Sequence, residues 1–387
     1  MTTKISRGLL ILPDRIAESD LYVRDGSIAA VTDDPLPFDR EIDAHGCYVA
    51  PGFIDIHLHG GGGCEFIDGT PEAVKTAANI HAAHGTTTMF PTLSAYDHDR
   101  TVRALEVIRS CRDDKDLMPD IAGVHLEGPY FSPKQSGAQD PAYIRVPSAS
   151  EYEGLAASYG DLIRRWSFAP ELPGSDAFMT FLNENGIVAS AGHTDADFSH
   201  MTAAYKKGLR LVTHLYSCTS TIRREGGFRI LGVTESAYYY DDITAEVIAD
   251  GCHLPPELLR MVYKLKGEKY TCLVTDAIRY AGMTGTDQLR DPNGNVPYII
   301  EDGVAKLADR SAFAGSIAVA DVLIRTCVMR AGIPLLSAVR MMTEVPARIM
   351  GLEKKGSLRE GRDADIVLLN KDLTVRSVMI GGTVLPR

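Results

Sequence analysis

Apolar residues along this chain follow two rhythms. Through the middle, short runs rich in Val, Ile, Thr and aromatic residues alternate with longer stretches whose apolar positions recur every three or four residues. That alternation predicts βα units feeding a parallel sheet. Eight runs read as strands: VAPGFIDIH from Val49, TTTMFPTL from Thr86, IAGVHLEG from Ile121, WSFAPE from Trp166, IVASAGH from Ile187, LVTHLY from Leu211, TAEVIADG from Thr244 and YTCLVTDA from Tyr270. Amphipathic stretches such as PEAVKTAANIHAAHG, HDRTVRALEVIRSC and PPELLRMVYKLKG read as helices between them. Eight strands interleaved with helices is the count of a (β/α)8 TIM-type barrel, assigned here to residues 50–355. The alternative is an open doubly wound sheet, which carries a glycine fingerprint after its first strand, and none is present.

The two ends of the chain keep the other rhythm. Residues 1–49 and 356–387 alternate apolar and polar positions around turns, as in LYVRDGSIAAVTDD and DADIVLLNKDLTVRSVMIGG. Neither end can bury a core alone, so pairing into one small β-sandwich is the economical arrangement. VPYIIEDGVAKLAD predicts a hairpin turning at Asp302-Gly303. Helices are expected from about Ser316 to Arg330 and from Pro334 to Met350.

Composition narrows the class. A chain of 387 residues, 45% apolar and 24% charged, is that of a globular protein. The net charge of −11 argues against a nucleic-acid partner, because a phosphate backbone requires a basic face. The N-terminal apolar core, LLIL, is closed by Pro13 and is too short for a signal peptide or membrane span. Seven scattered cysteines without a CxxC read as reduced thiols in a cytoplasmic protein, and no membrane partner is expected.

Six side chains able to bind metal or move protons close the predicted strands: His57, His59, Glu127, His193, His214 and Asp276. A barrel gathers its strand ends at one rim, and imidazole with carboxylate suits zinc, iron or manganese. His57 and His59 are one residue apart, so on a strand both point the same way, and Gly60–Gly63 after them leave room for a ligand. Glu127 lies in an otherwise apolar strand end, where a carboxylate needs a metal, a partner or the amides of the following turn. His125 faces the same way and is read as support for a ligand. Lone buried histidines are usually structural, a reading strained by His193 and His214 on successive strands. Asp276 suits a general base and acid, or a further metal ligand, and the two roles are compatible. His253 either faces a substrate or caps the helix after Pro255. His45, His81, His84, His98 and His200 receive no role.

Taken in order, HLHGGGG, HLEGPYFSPKQSGAQ, AGHTDA, THLY, ADGCHLPP, VTDA and the tail EGRDADIVLLN resemble the N-acetylglucosamine-6-phosphate deacetylases of the amidohydrolase superfamily. The resemblance spans nearly the whole chain. It implies Glu127, His193 and His214 as ligands of one ion, with His57 and His59 beside a second ion bridged by Glu127. The cofactor is then one or two divalent ions, Zn2+ or Fe2+. It implies Asp276 as general base and acid, in contact with the second ion. Gln139 stands where some members have a histidine that polarises the acetyl carbonyl, and His253 matches a sugar contact. Ser217 and Cys218 occupy the stretch whose backbone holds the substrate phosphate, though many members read asparagine-alanine-methionine there. Arg224, or its neighbour Arg223, aligns with an arginine that reaches the phosphate, often across a dimer interface; from the residues alone the pair reads as a solvated loop. Ala314, Gly315 and Ser316 belong to a segment bordering the substrate.

The implied reaction is hydrolysis of N-acetyl-D-glucosamine 6-phosphate to D-glucosamine 6-phosphate and acetate in amino-sugar catabolism, by a homodimer. The alternatives are another N-acyl amino sugar, such as the galactosamine epimer, another C–N bond, or a non-catalytic scaffold. A scaffold would be expected to have lost ligands or base, and this chain keeps all of them.

Overall fold

A computed structural model describes residues 1–287, 289 and 296–386. Its central sheet of nine strands holds eight parallel barrel strands, β1 (Phe53–Leu58), β2 (Thr86–Leu93), β3 (Val124–Glu127), β4 (Ile163–Phe168), β5 (Val188–Ala191), β6 (Leu211–Val212), β7 (Thr244–Ile248) and β8 (Thr271–Val274), and the short Asp120–Ile121 beside β2. Each barrel strand pairs in parallel with the next. The ring closes where the Asp276 amide donates to His57 O at 2.8 Å and the His59 amide to Ala277 O at 2.7 Å. A helix follows each strand: α1 (Pro71–Ala83), α2 (His98–Cys111), α3 (Ala149–Tyr159), α4 (Ser175–Glu184), α5 (Phe198–Lys206), α6 (Val233–Tyr239), α7 (Pro256–Lys266) and α8 (Ala320–Arg325). The expected (β/α)8 barrel is present.

Local chemistry starts these helices. Thr70 accepts the Ala73 amide ahead of Pro71, and Asp97 accepts the Arg100 amide, so each satisfies an orphan donor of the first turn. The chain ends contribute a four-stranded sheet from Thr2–Ser6, Asp20–Arg24, Ser27–Thr32 and Arg40–Asp43. They also contribute a six-stranded one that joins Leu9–Ile11, Ile16–Glu18 and Tyr48–Pro51 to Ile366–Leu369, Val375–Ile380 and Thr383–Val384. Ile5, Leu21, Val49, Ile366 and Met379 pack as one core between these sheets. The hairpin at Asp302-Gly303 forms as expected, with φ of 57° and 77° at the two turn residues and Glu301 opposite Val304.

Several boundaries differ from the sequence reading; β4, read from Trp166, begins at Ile163, and the run from Ile121 is interrupted before Val124. The run from Val49 is two strands, because the chain leaves the terminal sheet at Pro51 and enters the barrel at Phe53. Gly52 makes that passage: a Cβ there would lie 2.1 Å from Thr87 Oγ1. The helix expected from about Ser316 starts only at Ala320 and ends in a wider turn over Thr326–Arg330. That expected from Pro334 to Met350 is Leu335–Met341 followed by Glu344–Ile349. It breaks where Pro346 in the second helix supplies no amide donor to the turn before it. Among the described residues no helix is long and apolar enough to cross a membrane.

An aromatic cluster anchors the barrel wall below β3 and β4. Phe178 of α4 meets Trp166, Tyr130 and Phe168 edge-on, with ring centres 5.2, 5.0 and 5.4 Å away. Phe178→Ala should therefore lower unfolding stability by about 3–5 kcal/mol. Chemical denaturation followed by tryptophan fluorescence checks this through Trp166, the single tryptophan of the chain.

Candidate active site

Strand geometry assembles the site. All six residues of β1 are buried, and its period of two sends Asp55 and His57 to one side, with His59 following just beyond the strand. His57 Nε2 lies 3.3 Å from Glu127 Oε1 and 3.4 Å from Asp276 Oδ1. His59 Nε2 lies 3.3 Å from Glu127 Oε2 and 3.2 Å from Asp276 Oδ1. On the other side, Glu127 Oε1 is 3.3 Å from His193 Nε2 and 3.1 Å from His214 Nε2. Two triads result, His57/His59/Asp276 and Glu127/His193/His214, each with its donor atoms within 4.8 Å of one another. Glu127 stands between them: Oε1 faces His193, His214 and His57, and Oε2 faces His59.

Backbone strain marks the same positions. His193, His214 and Asp276 have φ of 47°, 29° and 47°, a left-handed region that costs a non-glycine residue on the order of 1–3 kcal/mol. Each sits just past its strand, where this sharp turn carries the side chain over the barrel mouth. Gly315 (φ 78°) lets a later segment lie against this turn, since a Cβ there would come within 2.9 Å of the Asp276 carbonyl oxygen.

Partners orient the rings. His59 Nδ1 is 3.1 Å from Ser94 Oγ, and His193 Nδ1 is 2.9 Å from Gln135 O. His125 lies outside the donor set, as expected of a supporting residue. Its nitrogens meet Thr92 Oγ1 at 3.1 Å and Ser167 Oγ at 2.7 Å, and its ring packs edge-on against His57. Burial and the nearby Arg165 guanidinium hold it neutral, well below the usual histidine range.

Electrostatics show what the cluster requires. Burial disfavours charge on His57 and His59, but the Glu127 and Asp276 carboxylates outweigh it, raising them to about 9 and about 10. Burial also opposes the Glu127 anion. Charge on His57 and hydrogen bonds from His193 and His214 nevertheless keep its carboxyl well below the usual range. Asp276, likewise opposed by burial, is pulled down to about 2 by His57 and His59. Protons on histidines thus gather around two ionised carboxylates. A divalent cation meets the same demand and displaces such protons. Both ring nitrogens of His57 are buried without a hydrogen-bond partner, so the donor set fits a metal.

His59, Glu127, His193, His214 and Asp276 form the floor of a cavity of about 810 Å³, with His57 fully buried beneath them. Gln139, Ser217, Cys218, His253, Ala314 and Gly315 line it. The Ser217 amide is taken by His214 O at 2.8 Å. Two sequence candidates lie elsewhere. Ser316 is fully buried behind the wall, with its hydroxyl on Thr275 O at 2.6 Å. Arg224 and Arg223 stand on an exposed hairpin (Arg223–Glu225 with Phe228–Ile230), outside the cavity of their own chain. Sequence reasoning passed over Lys134, Lys306 and Arg310 on the cavity wall. Their signal was weak, because each is a single charge in a loop or hairpin. It also passed over Asp250, which accepts from His253 Nδ1 at 2.8 Å and from the His253 amide at 2.8 Å. The spacing DGCH, an acid three residues before a histidine across a glycine turn, was the available clue.

Comparison with known proteins adds four findings. Residues 48–385 match the Amidohydrolase family. The N-acetylglucosamine-6-phosphate deacetylase of Lysinibacillus sphaericus is 30% identical over 371 residues, spanning 96% of this chain and 94% of that one. The N-acetylgalactosamine-6-phosphate deacetylase of Escherichia coli O157:H7 is 29% identical over 385 residues, with 97% of each chain covered. Among solved structures, the N-acetylglucosamine-6-phosphate deacetylase of Pasteurella multocida superposes over 100% of both chains, with a TM-score of 0.92 at 26% identity.

Proposed function

We propose that this chain, which belongs to the amidohydrolase family, hydrolyses the acetamide of N-acetyl-D-glucosamine 6-phosphate to D-glucosamine 6-phosphate and acetate in amino-sugar catabolism. The observation that carries this is Glu127 bridging two histidine-rich triads, with Asp276 beside them, on the floor of a sugar-sized cavity. Full-length likeness to deacetylases of phosphorylated amino sugars supports it.

Glu127, His193 and His214 would hold one divalent ion, zinc or iron, and His57, His59 and Asp276 a second. Such ions supply Lewis acidity, which lowers the pKa of a coordinated water toward neutrality and polarises an amide carbonyl. Asp276, ionised, accepts the proton of the attacking water and returns it to the departing amine. Gln139 is oriented for the acetyl oxygen. Its Oε1 accepts the Ala95 amide at 2.9 Å, so its Nε2 faces the floor. One Nε2 hydrogen goes to Glu127 Oε2 at 2.8 Å, and the other is left for the developing oxyanion. His253, held by Asp250 through Nδ1, turns Nε2 toward the sugar.

The phosphate would meet Lys134, Lys306 and Arg310 on the cavity wall, paired in this structure with Asp195, with Glu301 and Asp302, and with Glu301, and backbone around Ser217 and Cys218. Arg223 and Arg224 project away from their own cavity, so either reaches a phosphate only in a second copy; a homodimer follows from that role. Within each copy, the chain up to Pro51 and its C-terminal stretch from about 356 would form the small β-sandwich unit, and the residues between them the catalytic one. A cytoplasmic enzyme is the setting in which a phosphorylated sugar is met.

Acetate release from N-acetylglucosamine 6-phosphate is the direct test. The expected result is turnover of at least about 1 s⁻¹, with kcat/KM roughly 10- to 100-fold lower for the unphosphorylated sugar, as loss of charge-assisted hydrogen bonds predicts. No release from metal-loaded protein rejects this substrate. The second reading is the galactosamine epimer, favoured by likeness to the E. coli enzyme and by the unusual stretch Ser217–Thr221. A higher kcat/KM on N-acetylgalactosamine 6-phosphate would select it.

A further inference from the structure

Beneath the site, the barrel interior is polar where most barrels are packed with aliphatic side chains. Arg165 on β4 and Glu246 on β7 are both fully buried and face each other there, with Arg165 Nη1 2.7 Å from Glu246 Oε1 and Nη2 2.8 Å from Oε2. The guanidinium also donates to Ile56 O at 2.8 Å, the peptide just before His57, and to Thr213 Oγ1 at 3.2 Å. Glu246 Oε2 in turn lies 3.6 Å from His57 Nδ1, a fully buried nitrogen with no hydrogen-bond partner.

We infer that Glu246, clamped by Arg165, is a positioning residue for His57 and sets the affinity of the ion held by His57, His59 and Asp276. The inference rests on the two-ion reading above. A neutral imidazole that offers Nε2 to a cation must carry its proton on Nδ1, and a buried N–H needs an acceptor. Glu246 is the acceptor facing it, and an anion there also strengthens the ring as a donor. The other oriented ligands have neutral acceptors instead: Ser94 for His59 and a carbonyl for His193. Arg165 fixes both ends of this arrangement, since one guanidinium holds the Glu246 carboxylate and the backbone entering His57. A small rotation of the imidazole would close the 3.6 Å gap.

The competing role is structural, with Glu246 serving only to neutralise Arg165. Metal binding separates the two. Wild-type protein, Glu246→Gln, and Glu246→Gln combined with Arg165→Met are stripped with chelator. They are then titrated with Zn2+ against a competing chromogenic chelator, and Co2+ absorption reports each site. The double variant guards against misfolding, because it removes both buried charges together. The expected result is two ions per wild-type chain. In both variants one binding constant should be weaker by roughly 10- to 100-fold and the other should stay within about twofold. Two unchanged constants in the folded double variant overturn the inference, as does an equal loss at both sites. A wild-type chain that binds a single ion, at Glu127, His193 and His214, overturns the two-ion reading and this inference together.

Discussion

Asp276→Asn lowers kcat for acetate release by roughly three to four orders of magnitude, while the protein keeps its metal and its KM changes little. The expectation follows from the double duty assigned to this carboxylate. It takes a proton when water attacks the amide and gives one back when the amine departs, so a side chain that cannot be protonated fails at both steps. Burial opposes its charge, but His57 and His59 keep the carboxyl ionised, the form that accepts a proton from water, and a cation in place of their protons would do the same. Asparagine matches the shape and retains an oxygen toward His59, now 3.2 Å from Oδ1. Metal content is the control. If the ion at His57 and His59 is lost together with activity, Asp276 acts mainly as its ligand. Near-normal turnover in the variant rejects the proton-transfer role outright.

How this site could be found from sequence is a matter of where each residue lies on its strand. His57, Glu127, His193, His214 and Asp276 each terminate an apolar run, and a barrel converts the ends of separate runs into one rim. The donor set was therefore legible without knowing any distance. Arg165 and Glu246 were not, because their pairing joins residues 81 apart and depends on how strands four and seven face across the barrel. A charged residue inside a short strand reads as a solvent-facing position when the curvature is unknown. The same blindness explains the run from Val49. Continuous apolar residues look alike whether they enter the terminal sheet or the barrel, and only the close approach of Gly52 to Thr87 divides them. Arg224 shows the opposite limit, since its chemistry was read from resemblance and its hairpin carries it away from the cavity of its own chain.

Glu127→Gln abolishes acetate release, by at least about three orders of magnitude, and strips the protein of both ions. Its carboxylate belongs to one triad and touches the other: Oε1 faces His193, His214 and His57 at 3.3, 3.1 and 3.3 Å, and Oε2 faces His59 at 3.3 Å. Glutamine keeps the volume but removes the charge, and its amide nitrogen presents hydrogens where a cation requires a lone pair. Gln139 Nε2, which donates to Glu127 Oε2 at 2.8 Å, keeps that bond only to the glutamine oxygen, and this turns the new NH2 toward His193 and His214. Loss of the anion further removes a principal reason for His57 and His59 to hold protons, so the metal-free variant takes up fewer protons near neutrality than the metal-free parent. Elemental analysis after dialysis, paired with kcat at saturating substrate, reads the outcome. A chain that retains one ion and measurable turnover would mean that Glu127 serves only one of the two ions. The bridging role, and the shared centre built on it, would then be wrong. His57→Asn provides the contrast, because it should weaken only the ion beside Asp276 and leave the one at His193 and His214 in place.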